Sequence, residues 1–143
     1  MQKLIVMISL TLLLSACAGQ QRIDRSGEAF YKHAGDPVSQ VRYSTFRGWQ
    51  PAGDDAVLID FGSRGHYLFE LSVNCHFEIR SAASLQLVTA MRSVVNTFDH
   101  VQLGNERCNI VHIRPVDYAA LRAEMDASAA SRMRPVPSAE PAG

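Results

Sequence analysis

Asp99 and His100 stand side by side, and His112 follows twelve residues later. A carboxylate beside an imidazole can orient the ring and hold its charge, the arrangement from which proton transfer near neutral pH is built. One chemical reading is therefore a small enzyme or metal-dependent module using Asp99, His100 and His112. The plainer reading, a pair on the surface or at a sheet edge, is preferred. Metal binding has two starting points, because His76 follows Cys75 and His112 sits four residues after Cys108. On a regular strand, neighbouring side chains point to opposite faces and residues four apart are separated by ~13 Å. Neither pair then chelates one ion, although a helix or loop would reopen the question. Asp54 and Asp55 follow Gly53 and read as a turn rather than a carboxylate pair. The segment Gly62-Ser63-Arg64-Gly65 lacks the spacing of a nucleophile elbow. No H-E-x-x-H, C-x-x-C, P-loop or G-x-G-x-x-G pattern occurs. No catalytic set, metal set or cofactor is expected.

The third cysteine, Cys17, has a different setting. Residues 4–14 (LIVMISLTLLL) form an eleven-residue uncharged run after Lys3. A spanning helix needs about 20 apolar residues, so the run has the proportions of a secretory leader. It ends in Leu14-Ser15-Ala16-Cys17, which resembles the lipobox of bacterial lipoproteins. That resemblance implies a signal peptide over residues 1–16, a diacylglycerol thioether on Cys17 and acylation of the new amine. Two or more acyl chains anchor stably, each buried CH₂ contributing ~0.8 kcal/mol. Residue 18 is Ala rather than Asp, which in Gram-negative lipoproteins implies the outer membrane, with the domain facing the periplasm. With Cys17 lipidated, Cys75 and Cys108 remain as an even pair in an exported domain, and such a pair reads as a disulfide.

These groups need a scaffold, and composition limits what it can be. The chain has 143 residues, 47% hydrophobic and 20% charged, with 14 basic residues against 14 acidic ones. That suits a single globular domain, and the charge balance argues against a nucleic-acid partner. Residues 17–24 are polar and read as a tether, residues 25–130 as the domain, and residues 131–143, rich in Pro, Ser and Ala, as a disordered tail. Residues 25–34 suit a short helix capped by Asp24 and closed by Gly35. From 41 to 115 the signals are strands. Residues 41–49 alternate, with Val41, Tyr43, Thr45 and Trp49 on one face. Residues 56–61 (AVLIDF) and 66–73 (HYLFELSV) flank a Gly-rich turn, with Val57, Ile59 and Phe61 matching Tyr67, Phe69, Leu71 and Val73. Further strands fall near 85–89, 98–103 and 107–114, the last two joined at Gly104-Asn105. A helix over 118–130 follows, with Asp117 as N-cap. The fold expected is mainly β (α+β): a small antiparallel sheet or partly closed barrel with a short N-terminal and a C-terminal helix.

Spread over residues 30–120, several stretches resemble a group of small, uncharacterised proteobacterial lipoproteins classed as a domain of unknown function. They are Ala34-Gly35-Asp36-Pro37-Val38, Arg47-Gly48-Trp49, Tyr67-Leu68-Phe69-Glu70-Leu71 leading to Cys75, Phe98-Asp99-His100-Val101, and Arg107-Cys108-Asn109-Ile110 running to Asp117. The resemblance implies an exported, disulfide-bonded module and transfers no catalytic residue. The function expected is that of a non-enzymatic envelope lipoprotein. Its partners would be the bilayer, through acylated Cys17, and an envelope protein or cell-wall component. Trp49 reads as core, with a ligand groove as the alternative.

Overall fold

A computed structural model describes residues 25–133. The leader (residues 1–16), Cys17, the rest of the tether with Asp24, and tail residues 134–143 lie outside the described residues. Among the described residues eleven helices and strands follow one another: α1 (Arg25–Lys32), β1 (Gln40–Arg42), β2 (Gly48–Pro51), β3 (Ala56–Asp60), β4 (His66–Leu71), α2 (His76–Ser81), β5 (Leu85–Val88), β6 (Val94–Asn96), β7 (His100–Leu103), β8 (Glu106–Val116) and α3 (Tyr118–Met133). Six strands form one antiparallel sheet in the order β2-β3-β4-β8-β7-β5, curled into a half-barrel, and β1 and β6 pair as a separate ribbon.

The central hairpin follows the alternation read from the sequence. β3 pairs with β4 in the register Val57↔Phe69 and Ile59↔Tyr67, around a short 3₁₀ turn at Gly62–Arg64. Phe61 is fully buried, stacks on Tyr43 at 4.8 Å between centroids and meets Phe69 edge-on at 6.1 Å. These rings join Val57, Ile59, Leu71, Ile79, Val101, Leu103 and Ile113 on the inner face of the curl. The β7–β8 hairpin also forms where expected, with Gly104 at a positive φ of 56° as the first residue of a two-residue turn.

The outer face is less solvated than one-sided alternation implies. Ala56, Leu58 and Leu68 are buried there beneath Phe30 of α1 and Leu121 of α3. The central strands are apolar on both faces because helices cover the second one. α1 approaches the β2–β3 turn closely: Gly53 has a φ of 90°, and a Cβ placed on it would lie 3.0 Å from the Gly27 Cα. After α1, residues 33–38 strap onto β8, with the Gly35 N–H donating to the Pro115 carbonyl and the Val38 N–H to Ile113, each at 2.8 Å.

Several local expectations change. The stretch 41–49 is not one strand, because β1 pairs with β6 while β2 joins the large sheet. Val73 does not continue the inward row; β4 ends at Leu71 and Val73 opens a 3₁₀ turn, 77% exposed. Residues 76–81 are helical, and β6 supplies a strand that the alternation did not mark. The C-terminal helix runs on to Met133, into the stretch read as tail. On β8 a bulge sets Glu70 opposite His112 and Leu71 opposite Ile110, leaving Val111 unpaired. Val111 and His112 therefore both point outward, while Ile110 and Cys108 turn to the core.

Candidate functional site

Among the described residues strand β2 lies at one edge of the sheet and is hydrogen-bonded on one side only, to β3. An edge strand leaves alternate backbone N–H and C=O groups free for a partner strand. Beside this edge is a pocket of about 180 Å³, lined by Gly48, Trp49, Gln50, Leu58, Asp60, His66 and Tyr118. Register explains the grouping, since Gly48 pairs with Asp60 and Asp60 pairs with His66, placing three strands in one row. Gly48 contributes no side chain, and a Cβ there would meet nothing within 4 Å. The His66 ring stacks flat on Tyr118, 3.7 Å between centroids at 6°. Tyr118 is placed by the start of α3, where Asp117 Oδ1 accepts the Ala120 N–H at 3.1 Å.

The chemistry of this pocket is that of contact. It offers a stacked ring pair, an indole, an amide at Gln50 and a carboxylate at Asp60. Asp60 Oδ1 already accepts the Gly62 N–H at 2.7 Å, and its Oδ2 lies 3.8 Å from His66 Nε2. Trp49 fits both readings made for it: half-buried, it packs against the inner core and also lines the pocket.

Elsewhere on the outer face, polar groups are tied to one another. Glu70 accepts from Arg114 Nε at 2.6 Å and lies 3.0 Å from His112 Nδ1. Arg114 Nη1 also donates to the Gly35 carbonyl at 3.3 Å. Tyr31 donates to Asp55 Oδ2 at 2.9 Å. Burial first, then that hydrogen bond, pushes the Tyr31 phenol well above its ordinary value, so it stays protonated. Asp54 pairs with Arg80. Among the described residues no buried side-chain nitrogen or oxygen lacks a partner.

The residues singled out for chemistry each have separate partners. Asp99 is 6% exposed, and its two carboxylate oxygens accept the backbone N–H groups of Ala90 and Asn96, both at 2.9 Å. It is a buried loop staple rather than a surface or edge residue. His100 pairs in register with Asn109 on β8, while His112 binds Glu70. Burial first, and then the charge of Arg107, lowers the His100 pKa, which the neighbouring Asp99 opposes. Cys75 and Cys108 are bonded to each other, with Cα atoms 5.8 Å apart. Cys75 closes a 3₁₀ turn and His76 starts α2, so the strand geometry invoked against a metal does not hold there. The disulfide leaves neither sulfur as a thiolate ligand. Among the described residues no three His, Cys, Asp or Glu side chains gather as a metal-holding group.

Sequence reasoning missed the pocket at β2. The sequence places His66 at the start of a strand and Tyr118 at the start of a helix, but their stacking depends on α3 folding back over the sheet. A model described as a family of unknown function, DUF6491, matches residues 1–132. Comparison with curated proteins and with solved structures gives no match.

Proposed function

We propose that this chain, which belongs to that family of unknown function, is a lipid-anchored envelope protein. In this reading it is a non-enzymatic module that takes an extended segment of an envelope protein partner along strand β2. The observation that carries the binding role is the edge of β2, free among the described residues, beside the Gly48–Asp60–His66–Tyr118 pocket. An added strand would gain affinity from backbone hydrogen bonds, and one of its side chains would enter the pocket and set specificity. The pairing of Glu70, Tyr31 and Asp54 within the fold supports binding over catalysis, as does the commitment of Asp99 to backbone amides. The anchor rests on Leu14-Ser15-Ala16-Cys17 after its apolar run, and the family match begins at residue 1 rather than at the folded domain.

The test is in-cell photo-crosslinking. A photoreactive residue replaces Gly48 in one strain and Val88, on the opposite edge strand β5, in another. Adducts are read by mass spectrometry from the full, anchored protein. A reproducible envelope protein captured from position 48 and not from position 88 is expected. Equal capture at both positions, or none with the protein abundant and lipidated, would overturn the β2 reading. An empty result would redirect work to a small-molecule ligand.

A further inference from the structure

We infer that the corner formed by Val73 and Phe77 rests on the lipid bilayer and orients the domain on it, an inference that depends on the Cys17 anchor. Phe77 is 89% exposed and Val73 77% exposed, four residues apart across the junction of the 3₁₀ turn and α2. The same short segment sends Cys75 and Ile79 into the core, both fully buried. Cys75 is bonded to Cys108 on β8, so the segment is clamped with its other apolar face turned out. Phe77 cannot be buried by rolling α2 without breaking that bond or exposing Ile79.

Position relative to the anchor identifies what covers this corner. His76 lines a cavity of about 350 Å³ together with Gly27 and Glu28, which places the start of α2 beside the start of α1. Seven residues lie between Cys17 and Arg25, the first residue of α1, which makes eight Cα-to-Cα steps. Fully extended, they span at most about 28 Å. An acylated Cys17 would therefore hold the Val73–Phe77 corner within reach of the membrane, at an effective concentration where weak contacts are occupied.

The charges around the corner suit a shallow contact. Arg80 is neutralised by Asp54. Asn74 donates to the Arg107 carbonyl at 3.4 Å, which brings the backbone of the exposed Arg107 to the same region, where its charge would favour anionic lipid. Glu78 is half-buried, and its carboxylate would limit insertion to the headgroup–acyl boundary, where an aromatic ring is well accommodated. Phe98 is also exposed, in the turn before β7.

The test uses the full mature chain, purified with its lipid and reconstituted in phosphatidylcholine–phosphatidylglycerol vesicles with brominated acyl chains. The sequence holds one Trp, Trp49, so Phe77→Trp adds a single new reporter and Trp49 serves as reference. Mass spectrometry and flotation read the anchor separately. The expected result is a blue-shifted emission for Phe77→Trp that bromine quenches, with Trp49 in the parent chain unquenched. A lipidated, floating protein whose new Trp is not quenched would overturn the membrane corner and leave the anchor intact. A protein carrying no lipid would remove the anchor and the inference together. A blue shift that grows with protein density and ignores bromine would overturn bilayer contact by assigning the corner to a second copy.

Discussion

Glu70 and Arg114 lock β4 to β8 across the outer face, Arg114 Nε donating to Glu70 Oε1 at 2.6 Å. Burial favours the neutral acid, but the hydrogen bonds from Arg114 and His112 outweigh it and hold the carboxyl below the usual range. A carboxylate lowered in the folded state adds stability above its unfolded pKa, about 4.3, and loses it as pH falls through the lower folded value. Glu70→Gln is expected to lose about 1–2 kcal/mol at pH 7 and less near pH 3. Urea unfolding at both pH values checks this; an equal loss at both would contradict the ion-pair origin.

Removing the disulfide tests the clamp on α2. Its 33-residue separation corresponds to roughly 3.5–4 kcal/mol on the chain-entropy model. Cys75→Ala should lower stability by a few kcal/mol and free one thiol at Cys108. Thiol titration of the unfolded protein and its melting temperature report both. An unchanged melting temperature would count against a structural bond.

Asp99 is expected to act through folding rather than chemistry. In Asp99→Asn one acceptor oxygen is replaced by an amide that cannot receive an N–H. The predicted cost is about 1–3 kcal/mol, with faster amide exchange at Ala90 and Asn96. Exchange at both sites matching the parent protein would reopen a catalytic role for Asp99 beside His100.

The proposed anchor has its own genetic test. Cys17→Ala should leave a precursor or soluble form without lipid, seen by mass and by the absence of metabolic fatty-acid label. If that variant still floats with membranes after carbonate washing, the lipobox assignment is wrong.

The central hairpin was legible because period-two alternation and a Gly-rich turn are local signals, and residues 56–71 carry both. The cysteine pair was legible by count. The stretch from 73 to 81 was not, because a short helix with Phe77 and Ile79 shows the same apolar residues as a strand. Phe98 looks like a core residue and is 95% exposed, while Asp99 beside it looks exposed and is buried. Its partners are backbone amides, which no side-chain pattern announces. The pocket at β2 joins His66 to Tyr118 through the return of α3, a relationship between elements distant in sequence.

The strap of residues 33–38 along β8 also decides how the domain would carry a mechanical load. Tension arriving from an N-terminal tether enters at α1, which is held by Phe30, the Gly27–Gly53 contact and the bond from Lys32 to Glu124. Next in line are the Gly35–Pro115 and Val38–Ile113 hydrogen bonds, which pass the pull to β8. β8 is the longest strand, flanked by β4 and β7 and bonded through Cys108 to the segment before α2. A pull on the proposed anchor would peel α1 away first and leave the half-barrel standing. Under such a load α1 would serve as the mechanical fuse of the domain.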